Sequence, residues 1–297
     1  MPTNFTIAAS KRTAATQLDA GNFIPEVWSL RMNAKYYAHC VAMAICNTNW
    51  EGEVKLGSTV HVRQRPDVTV SPWTVNGTIT WQSLSDPMVD LDIDKSQHFA
   101  FKVDAVDLAQ MDIKIMDEAL KDAMKATAIA IDTDILGGTY GDADIDVTDT
   151  QLTKDTISDW VVDLATECDD NDMPEDGRFL VLPPWAANML MKSDLKGANL
   201  MGDQQSILRN GRVTDKRYPV AGFQIFKSRL LAVTNDGVDH WHCLFGTRDG
   251  ISFASQIDQV RHHPQLQSTI GSGVDGLSVY GYEVTYPQAL GHASIKK

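Results

Sequence analysis

The segment from Ser58 to Leu136 constrains the fold more than any other, because two strands of alternating character are followed at once by a long helical stretch. Apolar and polar residues alternate in Ser58–Arg65 and again in Val89–Asp94, which indicates two strands with one buried face each. One polar row is basic and the other acidic, so the strands are predicted to pair as a ribbon. The basic row holds His61, Arg63 and Arg65, and the acidic row holds Asp90, Asp92 and Asp94.

The ribbon is predicted to extend from Ser58 to about Val103. Its apolar row is predicted to need covering by a second copy of the chain, since an isolated two-stranded ribbon is marginal in water. Its middle, Pro66–Pro87, contains three prolines and two tryptophans, Trp73 and Trp81. Prolines disfavour a central strand there, and exposed tryptophans favour contact with a second copy of the chain. The alternative is a hairpin folded onto its own domain. The candidate inter-subunit contacts are both tryptophans and the six residues of the charged rows.

A single helix is predicted over Asp104–Leu136, which is 33 residues without glycine or proline. Its apolar residues recur at helical spacing, Asp104 is a suitable N-cap, and Gly137-Gly138 is a suitable end. At 1.5 Å per residue the helix would be roughly 50 Å long, against about 11–12 residues for a typical helix. Such a helix beside a ribbon indicates a spine rather than a core element of a compact enzyme.

The remaining segments predict an α+β protein in which a polar N-terminal arm precedes short mixed elements. An acidic loop is expected over Asp142–Asp149. Further helices are expected over Phe23–Ile45 and Thr153–Cys168, and from Pro183-Pro184 through Met191. Strands are expected over Arg178–Leu182, Val220–Phe226, Trp241–Phe245, Ile251–Ser255 and Leu277–Tyr286.

The charge of the chain argues against a dedicated nucleic-acid binder. The formal net charge is −13, and fifteen acidic residues with one base lie between Asp132 and Asp176. A DNA-binding domain normally carries a strong basic patch, so only weak, non-specific contact with DNA is expected, through the slightly basic N-terminal segment. The four scattered cysteines indicate buried thiols in a reducing compartment, and no apolar run is long enough to span a membrane.

Motifs for catalysis or cofactor binding are mostly missing, and no catalytic residue, cofactor or metal site is predicted. The phosphate-binding glycine loops, the Gly-x-Ser-x-Gly elbow and His-Glu-x-x-His are absent from the sequence. Two weaker patterns are interpreted as a solvated acidic loop and as ordinary polar histidines. They are Asp142, Asp144 and Asp146 at alternate positions, and His240 and His242 with His262-His263.

Several stretches, in this order, resemble the major capsid protein of tailed bacteriophages with the Hong Kong 97-type fold. The resemblance spans nearly the whole chain, and each stretch alone is weakly specific. The stretches are Phe23–Ser29 at the arm-to-helix entry, Asn49–Glu53 and Gly57–Val60 before the ribbon, Phe99–Asp104 before the long helix, Val220–Ser228 as a strand of the axial domain, and Gly276–Val284 as the closing strand of the peripheral domain.

The resemblance implies a non-enzymatic shell protein that assembles into pentamers and hexamers of an icosahedral or prolate head around double-stranded DNA. It implies portal, scaffolding and decoration or head-completion proteins as partners, no membrane, and a place in the virion after assembly in the bacterial cytoplasm. Some shell proteins carry a Lys–Asn link at the ribbon, but plain surface lysines are the favoured interpretation of Lys55 and Lys95. The same fold builds encapsulin compartments, which is one alternative function, and a metal-dependent enzyme is another.

The domain organisation expected from this resemblance has five parts. Residues 1–48 form the N-terminal arm and short helix, 49–103 the E-loop hairpin, and 104–170 the peripheral domain with the spine helix. Residues 171–270 form the axial domain, and 271–297 the C-terminal return strand of the peripheral domain.

Overall fold

The computed structural model describes residues 38–50, 59–66, 68–104, 113–193, 221–266 and 271–297. These residues form an α+β structure, as the sequence predicted, and the strands lie in three separate sheets. The helices are α1 (Ala42–Ile45), α2 (Ile113–Gly138), α3 (Ile157–Asp170) and α4 (Pro184–Lys192). The strands are β1 (Thr59–Arg63), β2 (Met88–Asp92), β3 (Lys95–Asp104), β4 (Ile145–Gln151), β5 (Phe179–Leu182), β6 (Gln224–Lys227), β7 (Val233–Asn235), β8 (Asp239–Gly246), β9 (Ile251–His263), β10 (Gly271–Val284) and β11 (Leu290–Lys296).

The first sheet is the predicted ribbon, in which β1 and β2 pair antiparallel with Val60 opposite Leu91. The ribbon is shorter than predicted, because its return arm ends at Asp92. The next strand, β3, pairs with β10 instead of β1, and β10 also pairs with β9. The three strands β3, β10 and β9 form the second sheet. The sequence pattern did not separate β2 from β3, since only the two residues Ile93 and Asp94 lie between them.

The third sheet has the order β4-β11-β8-β5-β6, with β7 paired to β8 beside β5. The β4–β11 and β5–β6 pairs are parallel, and the others are antiparallel. All four side chains of β5 are buried, as expected of a strand covered on both faces. One apolar core joins this sheet to α3, α4 and the end of α2.

Three strands of this sheet, β4, β7 and β11, were not predicted from the sequence. Asp142–Asp149 was expected to be a loop, but most of it is the strand β4, whose Ile145 is buried while Asp146 points outward. The high acid content of this segment concealed a short strand that is buried at its first residue, Ile145. The strand β11 was missed, because Gly291 and His292 interrupt its apolar character. Gly291 is required by close packing, since a Cβ there would overlap the Phe245 ring.

The long helix is confirmed over Ile113–Gly138, but it does not begin at Asp104, which is the last residue of β3. The predicted helix Phe23–Ile45 is confirmed only at its end. Residues 38–41 are not helical, and its part before residue 38 lies outside the described residues. Asp132 of α2 accepts hydrogen bonds from the Val41 and Ala42 amides at 2.8 and 2.5 Å. Burial raises the pKa of Asp132, although these two amides oppose the shift. No helix among the described residues is long and apolar enough to span a membrane.

Substitution of Gly138 by alanine is expected to destabilise the protein by about 1–3 kcal/mol, because the new Cβ would overlap the Tyr282 hydroxyl. That hydroxyl is fixed by hydrogen bonds to Lys95 Nζ at 2.5 Å and to the Asp134 carbonyl at 2.9 Å. Gly137→Ala is the matched control, since nothing lies within 4 Å of its Cβ. The control should be neutral or stabilising by up to about 1 kcal/mol, because alanine favours helix. Urea unfolding measures both, and equal effects would contradict the packing argument.

Candidate inter-subunit surface

The base of the ribbon is covered by its own chain. Val62 and Leu91 are 1% and 0% exposed, and Val60 and Ile93 are also buried. These side chains pack with Ala254 of β9 and with the partly buried Trp50 and Val279. The expectation that the apolar row needs a second copy was therefore wrong for the base, and the alternative of a hairpin on its own domain is correct there. The reason is that β9 and β10 present an apolar surface which periodicity within the ribbon does not reveal.

Two close contacts fix the position of this base. The carbonyl of Asp92, at the end of β2, approaches Gly281 of β10 so closely that a Cβ on Gly281 would overlap it. At the other end, the Gln64 side-chain amide donates to the Thr285 carbonyl at 2.6 Å. The backbone N–H of Gln64 also donates to the Pro87 carbonyl at 2.8 Å. Backbone pairing of the two arms extends to this point, and the tip begins beyond it.

The predicted pairing of the charged rows is confirmed most clearly for His61 and Asp90. These residues are opposite in register, with His61 Nδ1 and Asp90 Oδ1 at 2.6 Å. Asp92 accepts instead from the Thr59 hydroxyl at 2.6 Å, and Arg63 is 3.9 Å from Asp86, which the sequence prediction did not include. All these pairs are exposed, so each contributes little to stability. Arg65 and Asp94 lie outside the strand ladder and are exposed.

The tip, residues 65–86, differs from the base in both burial and backbone pairing. Trp73 and Trp81 are 67% and 87% exposed. A turn from Thr74 to Gly77 reverses the chain, and the Gln82 side chain accepts from the Thr69 amide across the arms at 2.9 Å. No strand is formed between residues 64 and 87 within the described part, as the prolines predicted. Sequence reasoning missed the aliphatic residues that enlarge this surface, although their alternation along each arm signals it. They are Val68, Val70, Val75, Ile79 and Leu84, all more than half exposed.

The alternative chemical sites do not assemble. His240 and His242 lie on β8 in the third sheet, whereas His262 and His263 lie on β9 in the second. Among the described residues no group of three or more histidine, cysteine or acidic side chains is arranged to hold a metal ion. An apolar cavity of about 220 Å³ between α2 and the second sheet is lined by Phe99, Met124, Thr127, Ala128, Ile131, Val260, Gly276, Leu277 and Ser278, none of which titrates in the ordinary range.

Of the two lysines considered for a covalent link, Lys95 lies among the described residues. Lys95 bonds to the Tyr282 hydroxyl at 2.5 Å and lies 3.3 Å from Asp134 Oδ2. Burial lowers the pKa of Lys95, but these two partners outweigh it and the net pKa is raised. A lysine held as a cation is a poor nucleophile, which agrees with a structural role. Lys55 lies outside the described residues.

Comparison with known proteins gives matches among solved structures alone. No protein-family model and no curated protein matches the chain. A structure from Mycobacterium phage Che8 is 25% identical, with a TM-score of 0.75 over 92% of this chain and 97% of that one. The capsid structure of cyanophage P-SCSP1u is 14% identical, with a TM-score of 0.73 over 99% of both chains. The capsid of Ralstonia phage GP4 is 12% identical, with a TM-score of 0.67 over 99% of this chain and 98% of that one.

These likenesses extend over nearly the whole chain, so they involve all three sheets and α2 rather than one shared motif. The resemblance found in the sequence is thereby confirmed: this chain has the fold of the tailed-phage major capsid proteins.

Proposed function

We propose that this chain is the major capsid protein of a tailed phage, and that its copies form the pentamers and hexamers of a closed head around double-stranded DNA. The observation that supports this most directly is an exposed apolar tip on a chain with a capsid fold. The base of the same ribbon packs against its own chain. Trp73 and Trp81 lie among the most exposed apolar side chains of the described residues. Exposed apolar surface of this kind marks a contact site for another protein.

The named parts of the family fold are assigned as follows. The ribbon β1–β2 with its tip is the E-loop, α2 is the spine helix, and the sheet β3-β10-β9 belongs with them in the peripheral domain. The sheet β4-β11-β8-β5-β6 with β7, together with α3 and α4, is the axial domain. On this assignment residues 95–104 belong to the peripheral domain instead of the E-loop, and residues 251–263 belong to it instead of the axial domain. Residues 145–170 and 290–296 belong to the axial domain instead of the peripheral domain. The proposed N-terminal arm, residues 1–37, lies outside the described residues.

The tip supports head-to-tail contact between copies. A projecting tip and the surface that receives it are different patches, so their contact is heterologous, and repeated heterologous contacts close into rings at a suitable rotation. His61, Arg63 and Asp90 flank the tip, and they are proposed to set the register of this contact more than its affinity. Arg65, Asp92 and Asp94 are retained as further candidates.

Weak contact with the packaged DNA is part of the same proposal. A net charge of −13 opposes tight binding of a polyanion, and a container must let its genome slide during packing. Portal, scaffolding and decoration or head-completion proteins are the expected partners. An encapsulin-type compartment remains the second candidate, since the same fold serves both.

Expression with and without a candidate scaffolding protein, followed by negative-stain electron microscopy, tests the proposal. We expect closed particles of megadalton mass. A monomer that persists under every assembly condition would contradict the shell function. Particles filled with co-expressed protein instead of DNA would favour the encapsulin alternative, which the gene neighbourhood also tests through the presence or absence of portal and terminase genes.

A further inference from the structure

Four side chains from four strands form one continuous line of hydrogen bonds in the third sheet. Asp146 Oδ1 of β4 lies 2.9 Å from His292 Nδ1 of β11, and His292 Nε2 lies 2.8 Å from His242 Nδ1 of β8. His242 Nε2 in turn lies 2.7 Å from the Thr234 hydroxyl of β7. The Tyr140 ring stacks on His242 with centroids 4.3 Å apart and lies 5.3 Å from the His292 ring. We call these five residues the histidine junction.

The junction connects the long helix to the sheet that follows it. Tyr140 lies in the 3₁₀ turn Tyr140–Asp142, which begins two residues after the end of α2. The other four residues lie on β4, β11, β8 and β7. A change in the junction therefore acts where α2 meets the third sheet, and also on β7, a strand of only three residues, all of them exposed.

All three hydrogen bonds of the line can form while both imidazoles are neutral. The Asp146 carboxylate can only accept, so His292 Nδ1 carries a proton and its Nε2 accepts. His242 Nδ1 then donates to His292, and His242 Nε2 accepts from the Thr234 hydroxyl. Each hydrogen bond has one proton, and no donor faces another donor.

One added proton leaves the line intact, but a second does not. With one, His292 Nε2 donates to His242 Nδ1, and His242 shifts tautomer and donates from Nε2 to Thr234. The His292 imidazolium is then balanced by Asp146. Its ring lies 5.3 Å from the Tyr140 ring, tilted by 42°. With two, N–H groups on both rings point at each other across 2.8 Å, and two like charges meet.

We propose that the histidine junction is a proton-counting latch, which holds the Tyr140 turn, β4 and β7 on the third sheet until both imidazoles are protonated and then releases them. The charged groups that face it agree with acid release. His240, on the same strand as His242, is bound by Asp149 at 2.7 Å, and Asp149 also binds Lys296 at 2.6 Å. Asp146 is in direct contact with His292 and is the acidic group that acts on His242 through its charge.

The direction of the pH dependence follows from His242. Burial lowers the pKa of His242, the neighbouring His292 and His240 lower it further, and Asp146 opposes them. In the released state the imidazole returns toward its ordinary pKa of about 6.5, so the released state binds more protons below that pH. The latch is therefore complete above about pH 6.5 and weakens as the pH falls.

Hydrogen exchange of the full-length, unassembled chain tests the latch between pH 7 and pH 5, with rates corrected for the pH dependence of chemical exchange. We expect the opening equilibrium of β4, β7 and the Tyr140 turn to rise by up to about tenfold per pH unit in acid. His242→Gln should abolish this rise. Asp146→Asn, at an exposed position, should move its onset to higher pH, because the singly protonated closed state loses its counter-charge.

His263→Gln is the matched control, since His263 also pairs with an aspartate, Asp275, but on the second sheet at 2.5 Å. The control should keep the wild-type pH dependence in β4 and β7. An acid-dependent opening that persists in His242→Gln, or an onset in Asp146→Asn that does not move upward, would overturn the latch. Neither result bears on whether the chain forms shells, because every measurement is made before assembly.

Discussion

Replacement of both tip tryptophans by serine, Trp73→Ser with Trp81→Ser, is expected to abolish closed particles while the subunit stays folded. Neither ring belongs to the apolar clusters of the described residues, so unfolding in urea should change by less than about 0.5 kcal/mol. An indole buried at the centre of an interface contributes about 2 kcal/mol or more. Losing two weakens each contact by about a thousandfold. Sedimentation velocity and electron microscopy compare the assembled fractions.

Val162→Ser provides the control for exposed apolar surface elsewhere, because Val162 is 51% exposed on α3 and away from the ribbon. It should assemble as the wild type does. Deletion of Pro66–Pro87 is the more severe version of the same experiment, and it should leave a folded subunit that does not assemble. Normal particles from either tip variant would remove the tip from the proposed contact.

Gly281→Ala is expected to lift the ribbon from β10 and so to impair both stability and assembly. The new Cβ would overlap the Asp92 carbonyl, a backbone atom that cannot turn away as a side chain can. Overpacking of this kind costs about 1–3 kcal/mol, and for this chain length it should lower the melting temperature by several degrees. Burial of Leu91 and Val62 should be lost with it, which faster hydrogen exchange in β1 and β2 would report.

The same substitution at Gly273 is a control within the same strand. The atoms nearest to a Cβ at Gly273 belong to the Leu266 side chain, the first at 3.1 Å, and that side chain can move. Gly273→Ala should therefore change stability and assembly much less. If the two variants behave alike, close approach of the ribbon to β10 does not hold the base in place.

Local pattern was sufficient where neighbours in the chain decide the structure. The alternation in Ser58–Arg65 and Val89–Asp94 predicted the paired strands. The opposed rows predicted charge pairing across the arms, which His61 and Asp90 form. The run without glycine or proline predicted the long helix, although not its start. The strand β3 continues through Asp104 because Asp104 pairs with Gly271 of β10. This partner lies far away in the sequence, so local pattern does not reveal it.

At the proposed contact site, too, local pattern predicted some features and contacts between distant residues decided others. Prolines and tryptophans marked the tip as a surface, and the structure leaves it exposed. The apolar row at the base was assigned to a second copy, and only the packing of β9 and β10 against it shows that the same chain covers it. The pairing of His242 with His292, 50 residues apart, was equally invisible to spacing along the chain.

Sequence alone determined the paired strands of the ribbon, the long helix, the exposed tip and the family whose fold they build, since these depend on short-range periodicity and on residue type. Tertiary structure alone decided that the apolar row of the ribbon is covered by its own chain, that β3 pairs with β10, and that His242 and His292 form a hydrogen bond. Those outcomes depend on contacts between residues far apart in the chain, and an apolar row has the same pattern whether its own chain or another copy covers it.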